Sequence, residues 1–268
     1  ARHELSTGGQ YLYDLSIVAF DSSTLYVSGV VPVDGDLSLD TRLNYQNNRI
    51  NGGTLLVHGN VIVNSNLFGS HSQGAGTATI KMAGLGDQHI IGNEAGYLPN
   101  LNIEKNSGTL YLEGTFAISG DFIHTLGSVD AGNSTVIFAA PISELQTITS
   151  NISLPIYYNN LTICGFGLST QQLINPVYVN GLLAFDMRGE TKNKVNGGPI
   201  HSYGDITMLH DGFGTASDGP GDTYILVEGI ADQTIYGNAA GHFPEIRILK
   251  QSGSDRKSTR LNSSHGKL

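Results

Sequence analysis

A long segment of this chain occurs twice, and this internal repeat constrains the fold more than any other feature. Residues 80–108 align without gaps to residues 225–253, and 14 of the 29 aligned positions are identical. Self-similarity of this kind is the signature of repeat architectures, in which each short unit packs on its neighbours. The repeat therefore predicts a stack of similar units along the chain.

Weaker copies of the pattern extend over most of the sequence. A third copy lies at 135–163, and a partial copy occurs at 11–17. A second kind of unit, an alternating segment that ends in glycine, occurs at 24–29 and again at 109–114. Both continue to a Gly-Asp pair, which predicts a tight turn because these residues favour turn conformations.

Each unit alternates apolar and polar residues before a glycine, which is the periodicity of a β-strand followed by a turn. The residues predicted to point into a core are Leu110, Leu112, Phe116, Ile118, Leu161 and Ile163. Those predicted to point outward are Thr109, Tyr111 and Glu113. A unit this short cannot bury its apolar side alone, so successive coils must cover one another.

The pattern predicts an all-β fold, a parallel β-solenoid (β-helix) of short stacked strands. Residues 1–254 are expected to form one repeat segment that is open at both ends. Open ends expose unpaired strand edges, so we expect end-to-end self-association, with flanking repeats of the same polypeptide as the natural neighbours. The alternative is a string of tandem β-sandwich domains, which also give short strands at regular spacing.

Composition supports a β-rich repeat and excludes some functions. The chain has 35 glycines, and charged residues make up only 14% of it, against about 25% in average soluble domains. The formal net charge of −9 argues against a nucleic-acid partner, which would require clustered Lys and Arg. No apolar run is long enough for a transmembrane helix.

Three motifs resemble the β-strand repeats of very large secreted proteins of Bacteroidota. They are Gln233 to Gly237, Tyr158 to Ile163, and Gly108 to Gly114. The resemblance covers most of residues 11–253 and implies a β-helix-like fold. It also implies an extracellular or cell-surface location.

Residues 255–268 differ from the rest of the chain. Their basic, polar composition departs from the repeats, and residues 255–265 resemble the in-frame translation of a sequencing adapter. We therefore predict that this tail is not native. The lone Cys164 excludes an intramolecular disulfide and is interpreted as a small thiol at a turn.

Metal and cofactor chemistry has few candidates in the sequence. Asp211, Asp218 and Asp222 lie among glycines and are weak candidates for calcium, but their spacing departs from that of β-roll calcium sites. An Asp-Gly turn pair is the simpler interpretation. His201 and His210 form the nearest metal pair, and no third ligand follows at a usual spacing. We expect no cofactor.

The tyrosines are the better candidates for binding. Tyr26 and Tyr111 occupy equivalent positions in their units, and Tyr97 and Tyr157 occupy another equivalent position. Outward aromatic rings could contact sugar rings, although more often they only cover a coil corner.

The sequence therefore predicts a non-catalytic structural or adhesive segment of a large extracellular or cell-surface protein, with a glycan or another cell-surface ligand as the candidate partner. The alternative is a carbohydrate-active β-helix protein, either a polysaccharide lyase or hydrolase or a glycan binder. Such an enzyme needs clustered carboxylates, commonly beside Arg or Lys, and basic residues are sparse here.

Overall fold

The computed structural model is all-β. It describes residues 2–20, 22–42, 47–65, 68–70, 72–93, 96–188, 192–210, 213–214, 219–237, 241–250, 252 and 255–257. None of these residues forms a helix, so the described part of the chain has no helical membrane span.

The strands are short, with the exception of β10, which continues around a corner of the coil. In the first half of the chain they are β1 (Arg2–Leu5), β2 (Leu15–Phe20), β3 (Thr24–Val33), β4 (Leu37–Arg42), β5 (Arg49–Val57), β6 (Val61–Val63), β7 (Thr79–Met82), β8 (Gln88–Gly92), β9 (Tyr97–Leu98), β10 (Asn100–Ile118), β11 (Phe122–Asp130) and β12 (Thr135–Ala140). In the second half they are β13 (Leu145–Thr149), β14 (Tyr157–Tyr158), β15 (Asn160–Phe166), β16 (Thr170–Leu173), β17 (Val177–Val179), β18 (Leu183–Arg188), β19 (Lys194–Gly197), β20 (Ile200–Ser202), β21 (Ile206–Met208), β22 (Tyr224–Val227), β23 (Gln233–Gly237), β24 (Glu245–Ile248) and β25 (Asp255–Lys257).

The strands pair in parallel from one coil to the next, which confirms the predicted β-solenoid. Every pairing between described strands is parallel. The described residues make about ten turns. Tandem β-sandwiches are built from antiparallel strands, so this topology excludes them.

One ladder shows how the coils stack. It runs through Leu98, Ile118, Phe138, Ile163, Phe185, Met208 and Gly237. The step along the chain is shortest in the first two steps of this ladder, from Leu98 to Ile118 and from Ile118 to Phe138, and longest at its end, from Met208 to Gly237. The coils therefore differ in length, and the ladder stays in register because the additional residues lie at the corners between strands.

The apolar side chains of the ladders form one continuous core. The six residues predicted to point inward are all at most 4% exposed. Tyr111 is half-buried and Glu113 exposed, as predicted from the alternation. Burying a Leu or Ile side chain contributes roughly 1.5–3 kcal/mol, so each coil is stabilised mainly by the apolar residues of the coils beside it.

A recurring set of hydrogen bonds fastens one coil to the next at a turn. The buried Gln146 donates from Nε2 to the carbonyl oxygens of Ile118 and Gly120 in the preceding coil, both at 2.7 Å. The backbone N–H of Thr147 donates to the Asp121 carboxylate, also at 2.7 Å. We call this arrangement the coil clamp: a Gln-X pair of one coil bonded to a Gly-Asx turn of the coil before it.

The coil clamp occurs three times among the described residues. The other two join Gln88 and His89 to Val57, Gly59 and Asn60, and Gln233 and Thr234 to Ser202, Gly204 and Asp205. All three glutamines are at most 1% exposed. Buried carbonyl groups require hydrogen-bond donors, and the glutamine amide supplies them where the turn breaks the ladder.

A lysine reinforces two of the coil clamps. The Nζ of Lys105 donates to the carbonyl oxygens of Gly84 and Gly86 and to Oε1 of Gln88, at 2.7–2.8 Å. Burial lowers the pKa of the Lys105 ammonium, while Asp87 opposes that shift. Lys250 makes the corresponding bond to Gln233 at 2.7 Å. The similarity of the two long sequence copies therefore follows from one hydrogen-bonded turn.

The two copies nevertheless lie on different ladders. Gly92 and Gly237 are equivalent in sequence, but Gly92 pairs with Gly114, whereas Gly237 pairs with Met208. The Gly237 ladder is the one that begins at Leu98. Because coil lengths vary, the same motif enters the solenoid at a different point of its perimeter.

His124 makes the stability of the solenoid sensitive to acid. It is buried, its Nε2 donates to the Gly127 carbonyl at 2.8 Å, and its Nδ1 has no partner among the described residues. Burial lowers the pKa of the imidazole below 6.5, against the weaker opposing effect of the Gly127 carbonyl. The unfolded chain therefore takes up a proton at higher pH than the folded chain does.

We expect the free energy of unfolding to fall as pH drops from 7 towards 5. The stability linked to His124 is complete above the unfolded pKa of about 6.5 and is lost as pH falls towards the lower folded value, by at most about 1.4 kcal/mol per pH unit. Urea unfolding of His124→Gln should show a smaller loss than the wild type over this range. The exposed His3→Gln serves as the control and should behave as the wild type. Equal pH profiles for all three proteins would show that His124 is not the source of the acid sensitivity.

The start of the tail continues the solenoid. Asp255–Lys257 lies in register beside Gln233–Ile235 as strand β25. Residues 258–268 lie outside the described residues, and the assignment of 255–268 to an adapter stays a prediction.

Candidate functional site

Tyr111 lies at the surface of β10 with one ring face covered. The His89 ring of the preceding coil is stacked on it, with ring centroids 5.1 Å apart and planes inclined by 22°. In the following coil the in-register neighbour of Tyr111 is Asp130, which carries no ring. The second face of the Tyr111 ring therefore has no aromatic neighbour among the described residues.

A shallow depression of about 300 Å³ opens beside this tyrosine. Its lining consists of Tyr111, Leu112, Glu113, Gly114, Asp130, Gly132, Asn133 and Ser134. The first four belong to one coil and the last four to the next. The depression lies where the later coil turns at 131–134 between β11 and β12, whereas β10 is one unbroken strand over the corresponding residues.

Two carboxylates share the depression, each with one fixed oxygen. Oε1 of Glu113 lies 2.5 Å from Nδ1 of His89, and Oδ1 of Asp130 accepts the backbone N–H of Gly132 at 2.9 Å. The second oxygen of each carboxylate has no partner among the described residues. Strand rise and strand spacing place the two Cα atoms about 8 Å apart. The site therefore offers two oriented acceptors next to an aromatic ring.

A second aromatic column lies further along the solenoid. The rings of Tyr157, Tyr178 and His201 follow one another in register, with centroid distances of 5.1 and 4.6 Å. Nδ1 of His201 lies 2.6 Å from Glu228, which also accepts a hydrogen bond from Tyr203. Tyr157 ends this column and is 47% exposed, whereas Tyr178 has a ring on each face.

The four candidate glycan-contact tyrosines do not form one site. Tyr26 is in register with Glu4 and Asn51, and the Arg2 guanidinium lies 4.3 Å from its ring centroid. Tyr26 and Tyr111 therefore lie on different ladders. Tyr157 belongs to the second column, so only Tyr111 lines the depression.

The prediction that Tyr97 contacts a ligand is wrong, because its side chain is only 3% exposed. The chain turns a corner at β9, and Tyr97 and Leu98 both point inward beside Ala117 and Ile118. Burial raises the pKa of the Tyr97 phenol. The sequence equivalence of Tyr97 and Tyr157 misleads here because the copies at 80–108 and 135–163 lie on different ladders.

Of the three calcium candidates, only Asp222 belongs to the described residues. Asp211 and Asp218 lie outside the described residues. Asp222 belongs to an exposed turn, where its Oδ1 accepts the Gly197 N–H at 2.7 Å and its own N–H donates to Asn196 at 3.1 Å. Asp222 thus has the turn role that the sequence also suggested.

The two candidate metal-binding histidines contact different carboxylates. His201 pairs with Glu228, and Nε2 of His210 lies 3.2 Å from Asp186. Asp186 is nearly buried and also accepts the Arg188 guanidinium at 2.8 Å. The described residues contain no group of three or more His, Cys, Asp or Glu side chains placed to hold a metal ion.

Cys164 is fully buried within β15 and does not lie at a turn. Burial raises the pKa of its thiol to about 12, and the Asp186 carboxylate adds to this shift. The thiol is therefore protonated at neutral pH and is a packing group, since the thiolate is the reactive form.

The sequence analysis did not identify His89, Asp130, Asn133 or Tyr178. His89 precedes Tyr111 by one coil and Asp130 follows it by one coil, and these two coils differ in length. Outward residues one coil apart become neighbours, so the local coil lengths would have revealed the site. Comparisons with protein families, curated proteins and solved structures find no match to this chain.

Proposed function

We propose that this chain is a non-catalytic structural segment of an extracellular or cell-surface protein, which spaces or presents other parts of that protein. The observation that carries the proposal is the coil clamp. It bonds each participating coil to the one before it through buried amide and backbone groups.

The clamp supports a mechanical role because it acts between coils. The parallel ladders already connect neighbouring coils through backbone hydrogen bonds. The clamp adds bonds at the turns, where the ladder is interrupted, and each hydrogen bond contributes about 0.5–1.5 kcal/mol net. Separating two clamped coils must break both sets of bonds and expose the apolar core.

The extracellular part of the proposal is supported by the resemblance of the repeat motifs to those of large secreted proteins. The natural partners of such a segment are flanking repeats of the same polypeptide. An adhesive role would depend on outward side chains, which the solenoid holds at intervals of about 4.8 Å along its axis.

A mechanical measurement tests the proposal. The whole chain, flanked by reference domains, is stretched in a single-molecule force experiment. We expect the wild type to unfold in resolvable force peaks, because groups of clamped coils separate together. Gln146→Ala, which removes one clamp, should lower the force, whereas Gln172→Ala on the outer side of β16 should not. Extension without a resolvable peak in the wild type would contradict a mechanical role.

A further inference from the structure

We propose that the depression beside Tyr111 is a binding site for one sugar residue of a neutral glycan. The inference does not depend on the structural role, since a solenoid can space domains whether or not it binds a sugar. It follows from three properties of the depression: an aromatic face that no second ring covers, two carboxylates with one hydrogen-bonded oxygen each, and a small concave volume.

The aromatic face is the first property. A pyranose ring has an apolar face of C–H groups that packs against an aromatic ring, and the negative face of the π-system attracts those hydrogens. The ring of Tyr111 is fixed by His89 on one side and borders the depression. Tyr178 is the opposite case, because Tyr157 and His201 cover its two faces.

The polar lining is the second property. The unpaired oxygens of Glu113 and Asp130 can accept hydrogen bonds from two sugar hydroxyls. The exposed amide of Asn133 can both donate and accept. Hydrogen bonds to a charged acceptor are stronger than those between neutral groups. A saccharide offers hydroxyl donors next to apolar C–H groups, which matches acceptors placed beside a ring.

Charge selects among saccharides. The two charged groups that line the depression, Glu113 and Asp130, are both acidic, and the whole chain carries a formal net charge of −9. A uronate or sulfated sugar would place a negative group beside these carboxylates with no lining Lys or Arg to offset it. Neutral hexose or pentose units carry no such charge and are favoured.

The volume limits the ligand. Sites for small molecules typically enclose about 300–1,000 Å³, and this depression is at the lower end of that range. It therefore holds one sugar residue, and the rest of a glycan would extend into solvent. Binding at a single shallow site is expected to be weak, with a dissociation constant of about a millimolar.

The experiment measures binding of the full chain to soluble neutral polysaccharides, a β-glucan, a galactomannan and a xylan. Alginate and polygalacturonate are the acidic comparison. Affinity electrophoresis and saturation-transfer NMR are run in the presence of EDTA, so that a bridging cation cannot cause the signal. The variants are Tyr111→Ala and Asp130→Asn, with Tyr178→Ala as the matched control, and circular dichroism confirms that each is folded.

We expect at least one neutral polysaccharide to bind, and Tyr111→Ala and Asp130→Asn each to weaken binding by about tenfold. Tyr178→Ala should retain the wild-type affinity. The inference is overturned by wild-type binding only to acidic polysaccharides, by no binding to any of the five, or by an equal loss in Tyr178→Ala. If the chain releases shortened saccharides and the three variants change binding as expected, the sugar site is supported and the proposed non-catalytic function is overturned.

Discussion

Replacing Leu161 with aspartate is expected to unfold the central coils and to lower the free energy of unfolding by more than about 4 kcal/mol. Leu161 is fully buried and lies in register between Val136 and Leu183, which are also buried. A carboxylate at this position meets no polar partner, and an isolated buried charge is among the most destabilising changes a core can receive. The loss of apolar contacts with both neighbouring coils adds to the effect.

The adjacent Thr162→Asp is the matched control. Thr162 is half-buried on the outer side of the same strand, so an aspartate there can reach water. Guanidinium unfolding followed by far-ultraviolet circular dichroism compares the two variants with the wild type. If Leu161→Asp unfolded cooperatively at the wild-type midpoint, the conclusion that the Leu161 side chain points into the core would be wrong.

Removing the glutamine of a coil clamp is expected to have the second largest effect. Gln146→Ala leaves the carbonyl oxygens of Ile118 and Gly120 without their donor and creates a small cavity. An unsatisfied buried polar group costs about 1–3 kcal/mol, so we expect a loss of about 2–4 kcal/mol in the free energy of unfolding. Gln146→Glu should cost more at neutral pH, because a carboxylate would face the two carbonyl oxygens.

The control for the clamp variants is Gln172→Ala, which shortens a half-buried glutamine on the outer side of β16. Chemical unfolding should place this variant within about 0.5 kcal/mol of the wild type, as is usual for surface changes. If Gln146→Ala were as stable as Gln172→Ala, the amide bonds at the turn would contribute nothing to holding the coils together.

The fold class was predictable because it depends on local alternation. Leu110 and Leu112 point inward and Tyr111 and Glu113 outward, as the period of two requires. Parallel stacking followed from the repeat, since short units with one apolar side must cover one another. The first argument uses residues that are close in sequence, and the second uses the recurrence of the motif along the chain.

The arrangement around the perimeter was not predictable from the repeat. Gly92 and Gly237 have equivalent sequence surroundings but lie on different ladders. What the motif encodes is the clamped turn, and the face on which that turn lies depends on the sum of all intervening coil lengths. The error at Tyr97 has the same origin.

The candidate site was only partly predictable for a related reason. Tyr111 was identified, but Asp130 becomes its neighbour only because the coil that joins them is shorter than the coil from His89 to Tyr111. A shift of one residue in either coil would turn a carboxylate of the site towards the core. Sequence motifs do not reveal the coil lengths, because the number of residues at the corners between strands sets those lengths.

The coil clamp gives the solenoid a direction of assembly. The acceptors on Gly120 and Asp121 belong to the earlier coil, and the donors on Gln146 and Thr147 belong to the later one. At this clamp, a coil that emerges from a ribosome finds its complement already folded, whereas the other two clamps also gain a bond from a later lysine. Such a chain can lengthen stepwise from its amino-terminal side, and each completed joint provides the template for the next.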